Sequence, residues 1–119
     1  MKVTHLLCAI ATPAVLLWSF LSLPSLAPPE IASGDGIVNA DIVACLSRTD
    51  TFIGTLDVEV EKGQIDRTGY FGDGSFRILC YPNPYGRSNQ SLVIIFAAHD
   101  TDFDIANTFV QIAINQIAD

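Results

Sequence analysis

With 119 residues, the chain is long enough for one domain and too short for two, since domains usually run to roughly 100–150 residues. Against 13 acidic residues stand six basic ones, and the net charge of −7 excludes nucleic-acid binding through the protein's overall field. Half of the residues are hydrophobic, but much of that content lies in the first 27, so it overstates how apolar the remaining domain is.

Residues 1–27 carry Lys2 and then no other Lys, Arg, Asp or Glu before Glu30. A short positive start followed by a long apolar run is what secretory machinery reads, and Ser25-Leu26-Ala27 supplies small, spaced residues for a signal peptidase. Pro28 fits poorly at the first mature position, and the uncharged run is long enough to span a bilayer, so an uncleaved anchor is the alternative. Pro13 and Pro24 interrupt a spanning helix and count against it. In both cases Lys2 keeps the N-terminus cytoplasmic, which makes the rest of the chain extracytoplasmic, periplasmic or secreted. The membrane is then involved only through this segment, if it stays uncleaved.

Setting the segment aside leaves five basic residues against 13 acidic ones, a net charge of −8. Cys8 goes with it, and Cys45 and Cys80 remain as an even pair, which in an exported chain most often forms a disulfide. Ile42-Val43-Ala44-Cys45 has the look of a lipobox, but acidic and Gly-rich residues separate it from the apolar segment, so Cys45 is assigned to the disulfide.

Residues 28–36, Pro-Pro-Glu-Ile-Ala-Ser-Gly-Asp-Gly, read as a linker, and 37–119 as the domain. Residues 37–46 are apolar and β-branched in patches and read as a strand or as a short helix ending near Ser47, with the strand favoured for Asp41 to Leu46. Leu56, Val58 and Val60 alternate with Asp57, Glu59 and Glu61, a period of two that gives a strand one apolar and one acidic face. Lys62-Gly63 turns the chain, 64–71 is a weaker strand, and Asp73-Gly74 marks a hairpin. On the return strand, Phe76, Ile78 and Cys80 share a face, which sets the disulfide on the core side. Two prolines open a loop at Pro82-Asn83-Pro84. Leu92 to Ala98 is continuously apolar, the pattern of a strand covered on both faces, or at least central. Phe103, Ala106, Val110, Ala113, Ile114 and Ile117 recur at helical spacing, with Asp100, Thr101 and Asp102 placed to cap the helix. The expected fold is α+β: a small antiparallel meander sheet of three to five strands, one C-terminal amphipathic helix packed on it, and one disulfide.

No residue set specifies a reaction or a cofactor. Asp100, Asp102 and Asp104 alternate like calcium ligands, but Ile105 and Gln111 stand where an EF-hand needs Gly and Glu, leaving at most a weak surface cation site. An apolar strand running into Asp-x-Asp also has the look of a haloacid dehalogenase-type nucleophile motif, but too little chain follows for that fold. Zinc lacks a ligand set, and haem attachment lacks a Cys-x-x-Cys-His. His99, with Asp100 or Asp102, is the one group from which a small hydrolase can be built, and no nucleophile pattern accompanies it. Asn89-Gln90-Ser91 is a glycosylation sequon in a eukaryotic host.

What remains is surface chemistry. Tyr70, Phe71, Tyr81, Tyr85 and Arg87 gather around the hairpin and the Pro-rich loop as a candidate binding surface. Ile105, Phe109 and Ile112 widen the apolar stripe of the C-terminal helix, so that either the helix is nearly engulfed by the sheet or a partner, such as a second copy in a homo-oligomer, covers the excess. The sequence therefore favours a non-enzymatic binding or envelope-assembly module whose partner is a protein or envelope component. The alternatives are the His99 hydrolase and an inhibitor-like scaffold.

Overall fold

The computed structural model describes residues 27–119, so the export segment lies, apart from Ala27, outside the described residues. The elements in chain order are β1 (Glu30–Val38), α1 (Ile42–Gly54), β2 (Glu59–Lys62), β3 (Asp66–Phe71), β4 (Gly74–Pro82), β5 (Ser91–His99) and α2 (Phe103–Ile117). The strands form one antiparallel sheet in the order β1-β5-β4-β3-β2. Strands β2 to β5 are a meander, and β1 completes the sheet beside β5. The fold is α+β, with the C-terminal amphipathic helix packed on the sheet and one disulfide.

Two expectations from the sequence are corrected near the N-terminal edge. The stretch expected as a linker, 28–36, is mostly strand β1, because its glycines are helix-packing positions and not breakers. Ala32, Gly34, Gly36 and Val38 alternate on the face toward α2. A Cβ at Gly34 would lie 2.7 Å from Ile114 Cδ1, and one at Gly36 would lie 2.7 Å from the Ala118 Cβ. Bare backbone at these two places lets α2 settle directly on an edge strand.

The second correction concerns Asp41 to Leu46, which takes the helical alternative over the favoured strand and opens α1, a helix that runs past Ser47 to Gly54. Asp41 is the N-cap, its Oδ1 accepting from the Ala44 amide at 2.9 Å. The helical stripe is Cys45, Thr49, Phe52 and Ile53, all buried. Thr49 conceals the period in the sequence because it is polar, yet its Oγ1 donates to the Cys45 carbonyl at 2.9 Å and so enters the core satisfied. The domain thus has two helices where the sequence suggests one.

The β3–β4 hairpin turns at Gly72-Asp73, one residue earlier than Asp73-Gly74, since Phe71 pairs with Gly74. Gly72 takes the positive φ, 48°, at the first turn position, which is where a two-residue loop of the II′ kind needs glycine. That register turns Phe76, Ile78 and Cys80 toward the helices. They meet Val93 and Ile95 of β5 and Val110, Ala113 and Ile117 of α2 in the core. At one end of this layer the Phe109 ring lies 4.6 Å from Phe76, 5.4 Å from Phe71 and 5.9 Å from Phe52, measured between centroids.

Three polar ties complete the layer. Cys45 of α1 and Cys80 of β4 form a disulfide, and both are fully buried. Arg67, on the helix side of β3 and 8% exposed, donates Nε to Asp50 Oδ1 at 2.7 Å and Nη2 to Oδ2 at 3.3 Å. Its Nη1 reaches the Gly63 and Asp66 carbonyls, so α1 is clamped to the β2–β3 turn. At the opposite end, the Asp119 carboxylate accepts from the Asn39 amide at 2.7 Å and pairs with Arg48 at 3.1 Å. These two partners, the Asn39 amide first, hold that carboxyl below its ordinary range.

Two outcomes are expected from these ties. Replacing both Cys45 and Cys80 by Ala should lower the unfolding free energy by about 3 to 4 kcal/mol in a urea titration. Non-reducing mass analysis of the exported protein should show no free thiol at Cys45 or Cys80. Asp50 gives an acid dependence of definite sign: hydrogen bonding from Arg67 holds its carboxyl below the ordinary range, desolvation opposes this, and the Arg67 and Lys62 charges add to it. As pH falls the unfolded chain takes up this proton first, so stability present above the ordinary carboxylate range is lost as pH drops below about 4. Asp50→Asn should be about 1 to 2 kcal/mol less stable at pH 7. It should also show a shallower acid-unfolding profile.

Candidate functional site

Both helices pack on the same face of the sheet, and among the described residues nothing covers the other. Strand β5 is where this matters most. Val93, Ile95 and Ala97 are buried under the helices, while Leu92, Ile94, Phe96 and Ala98 alternate onto the open face. The sequence led us to expect this strand covered on both sides or at least central, and it is an interior strand, between β1 and β4. It is covered on one, and its second apolar stripe is left at the surface.

Neighbouring strands extend the stripe in register. Antiparallel pairing sets Ile31, Ala98, Ser75, Tyr70 and Glu59 in one row across the open face. The next rows run Ser33, Phe96, Arg77, Thr68 and Glu61; then Asp35, Ile94, Leu79 and Asp66; then Ile37, Leu92 and Tyr81. Ile31 is 61% exposed, Tyr70 50%, Phe96 45% and Tyr81 41%. Large side chains in adjacent rows make a continuous apolar surface, whereas isolated exposed hydrophobic residues would be unremarkable on a protein this size. A shallow groove of about 320 Å³ runs over it between Ile31, Tyr70 and Phe96.

The charges on this face are unbalanced. Asp35 projects from the β1 edge, Glu59 and Glu61 from the β2 edge, and Asp66 from β3. Arg77 is the one cation among them. Its Nε donates to Thr68 Oγ1 at 3.0 Å and lies 3.6 Å from Asp66 Oδ2, so its charge is already answered within the face.

The candidate residues read from the sequence fall into different places. Tyr70 and Tyr81 are on the open face, roughly 20 Å apart along the strands. Phe71 is the correction among them: it faces the opposite way and stacks with Phe76 and Phe109 inside the helix layer. Tyr85 and Arg87 lie in the loop between β4 and β5, both exposed, with the Arg87 amide donating to Gln90 Oε1 at 3.3 Å. The five therefore do not form one surface. The residues the sequence reading missed are Ile31, Ile94, Leu92 and Phe96. Their signal was the apolar run of β5, which asks for two covering layers where the chain supplies one.

Around the start of α2, Asp102 Oδ1 accepts from the Asp104 amide at 2.9 Å as the helix N-cap. His99 Nδ1 accepts from the amides of Thr101 at 3.2 Å and Asp102 at 3.0 Å, so this nitrogen is occupied in ordering the turn into α2. Asp100, Asp102 and Asp104 are all exposed, and among the described residues no three His, Cys, Asp or Glu side chains are grouped to hold a metal ion. On α2 itself, Ile105 and Ile112 are exposed, while Phe109, expected on the same widened stripe, is turned into the ring stack. The hydroxyl of Ser91 in the Asn89-Gln90-Ser91 sequon is buried and donates to the Ala40 carbonyl at 2.9 Å. No described helix is long and apolar enough to cross a membrane.

The His99 geometry predicts a tautomer and a cost. A ring that accepts at Nδ1 carries its hydrogen on Nε2, which long-range proton–nitrogen spectra of the neutral ring should report. His99→Ala strips two amides of their acceptor and should cost about 1 kcal/mol in thermal unfolding.

Compared with known proteins, the chain matches no family model, no curated protein and no solved structure.

Proposed function

We propose that this chain is an extracytoplasmic, non-enzymatic binding or assembly module that works through the open face of its sheet. The observation that carries this reading is the second apolar stripe of β5, Leu92, Ile94, Phe96 and Ala98, which no element of the described domain covers. Burying apolar side chains is worth roughly 25 cal/mol per Å², so such a face is a standing source of binding energy. Antiparallel pairing across five strands fixes the arrangement of its side chains, and a preorganised face gives up little entropy when it docks.

Export is supported by two features. Residues 1–27 have the charge and apolar pattern of a secretory segment. The buried Cys45–Cys80 disulfide belongs to an oxidising compartment. The partner is a protein or envelope component, and the membrane enters only through the N-terminal segment if that is retained.

Fractionation of the producing cells with N-terminal mass determination tests the location. The protein should appear outside the cytoplasm, oxidised, and either cleaved near Ala27 or membrane-bound with the segment intact. Reduced protein in the cytosol overturns the localisation. A photoreactive amino acid in place of Phe96 should capture a partner in that fraction, and the same group in place of Asn115 on α2 should not. Equal capture at both positions, or none at Phe96, overturns the assignment of the open face.

A further inference from the structure

Two features of the open face specify what kind of partner covers it. One is the distribution of charge. Carboxylates stand at both lateral edges, Asp35 on β1 and Glu59 and Glu61 on β2, while the strip between carries one charge pair, Arg77 with Asp66, and the hydroxyls of Thr68 and Ser75 among its apolar side chains. The other is the span. Four strand spacings of about 4.8 Å separate β1 from β2, so the rims lie roughly 19 Å apart. At 1.5 Å per residue that is about 13 residues of α-helix.

We infer that the open face is the docking site for a basic amphipathic helix of a partner protein, lying across the strands with its apolar stripe on β5 and β4 and Lys or Arg near both ends. Helices are the usual cover for a sheet face, and this sheet already takes two on its other side. A second such layer would give β5 the two-sided burial that its sequence is written for. Basic residues at the ends would reach Asp35 at one rim and Glu59 and Glu61 at the other. A second copy of this chain fits worse. Apposing two open faces brings the carboxylates of one against those of the other, and like charges across an interface suppress pairing.

This inference rests on the open face being the binding surface, and the test separates the two. Three synthetic 14-residue helical peptides share one leucine stripe and carry two Lys, two Gln or two Glu at each end. Each is titrated into the purified protein by fluorescence anisotropy, with amide chemical shifts recorded in parallel. The Lys-flanked peptide should bind about tenfold more tightly than the Gln-flanked one at low salt, and the Glu-flanked one most weakly. The difference should shrink as salt rises. Shifts should map to the open-face positions of β5 and β4.

Phe96→Ser and Ile31→Ser, both at exposed sites, should weaken all three peptides. The triple variant Asp35→Asn, Glu59→Gln, Glu61→Gln should remove only the advantage of lysine. Asp41→Asn, Asp57→Asn and Asp104→Asn together change the charge equally away from this face, and should leave that advantage intact. Equal binding of the Lys- and Gln-flanked peptides overturns the basic partner while leaving the docking face in place. Equal sensitivity to the two triple variants also overturns it, since binding would then follow net charge. Failure of all three peptides to bind overturns the face as well. A dimer in sedimentation that Phe96→Ser dissociates overturns the inference in favour of a second copy.

Discussion

The covalent bond between Cys45 and Cys80 fixes the one connection that the sheet cannot secure by pairing. Strands β1 and β2 occupy opposite edges, and the chain between them crosses the whole sheet as α1. Helices rely on buried faces for their stability, and α1 offers only four buried positions, one of them a threonine. The disulfide pins its first turn to β4, near the centre, and the Arg67–Asp50 clamp holds its last turns beside β2. With both ends set, Phe52 is delivered to the ring stack against Phe109, and α2 has a neighbour to pack on. Removing the bond therefore loosens the helix layer that backs the open face.

That backing explains how a domain of this size keeps an apolar surface without collapsing onto it. The core has been spent on one side of the sheet, and the strand register is enforced there by Ile78, Val93 and Ile95. A one-residue slip would exchange the two faces and bury Arg77 in place of Phe76 or Ile78, so the arrangement resists sliding. The two lateral edges are unlike. The β2 edge is short and carries Glu59, Glu61 and Lys62, which discourages further pairing. The β1 edge is long, and Asp35 is its one charge between Glu30 and Val38.

Much of the fold could be read from residue patterns. The apolar run of β5, the helix from Phe103 to Ile117 and the cysteine pair each follow a simple periodicity or count, and each is present, whereas the strand read from Leu56 to Glu61 begins only at Glu59, after Asp57 takes a positive φ of 53°. The misreadings have a shared physical origin, which is that side chains were judged by type without their neighbours. Gly34 and Gly36 suggest a tether until α2 is placed against them, and Thr49 hides a helical face until its hydroxyl is seen bonded to Cys45. Phe71 and Tyr70 are adjacent in sequence, yet pleating sends one to the core and the other to the surface. The open face was legible in half: β5 plainly wanted two covers, but only the sheet order revealed that one was missing.

The pairing of β1 with β5 joins residues 30–38 to residues 91–99, and the Asp119 amide then bonds the Ile37 carbonyl. The first strand to leave a ribosome or a translocation pore thus has no partner until nearly the entire chain has followed it. Contacts so distant in sequence slow folding. Strands β2 to β4 can form hairpins early, but the face they present is incomplete until β5 arrives with β1 beside it. A chain cut short before β5 would leave β1 without its partner, so the open face is complete only once residues 91–99 have been made.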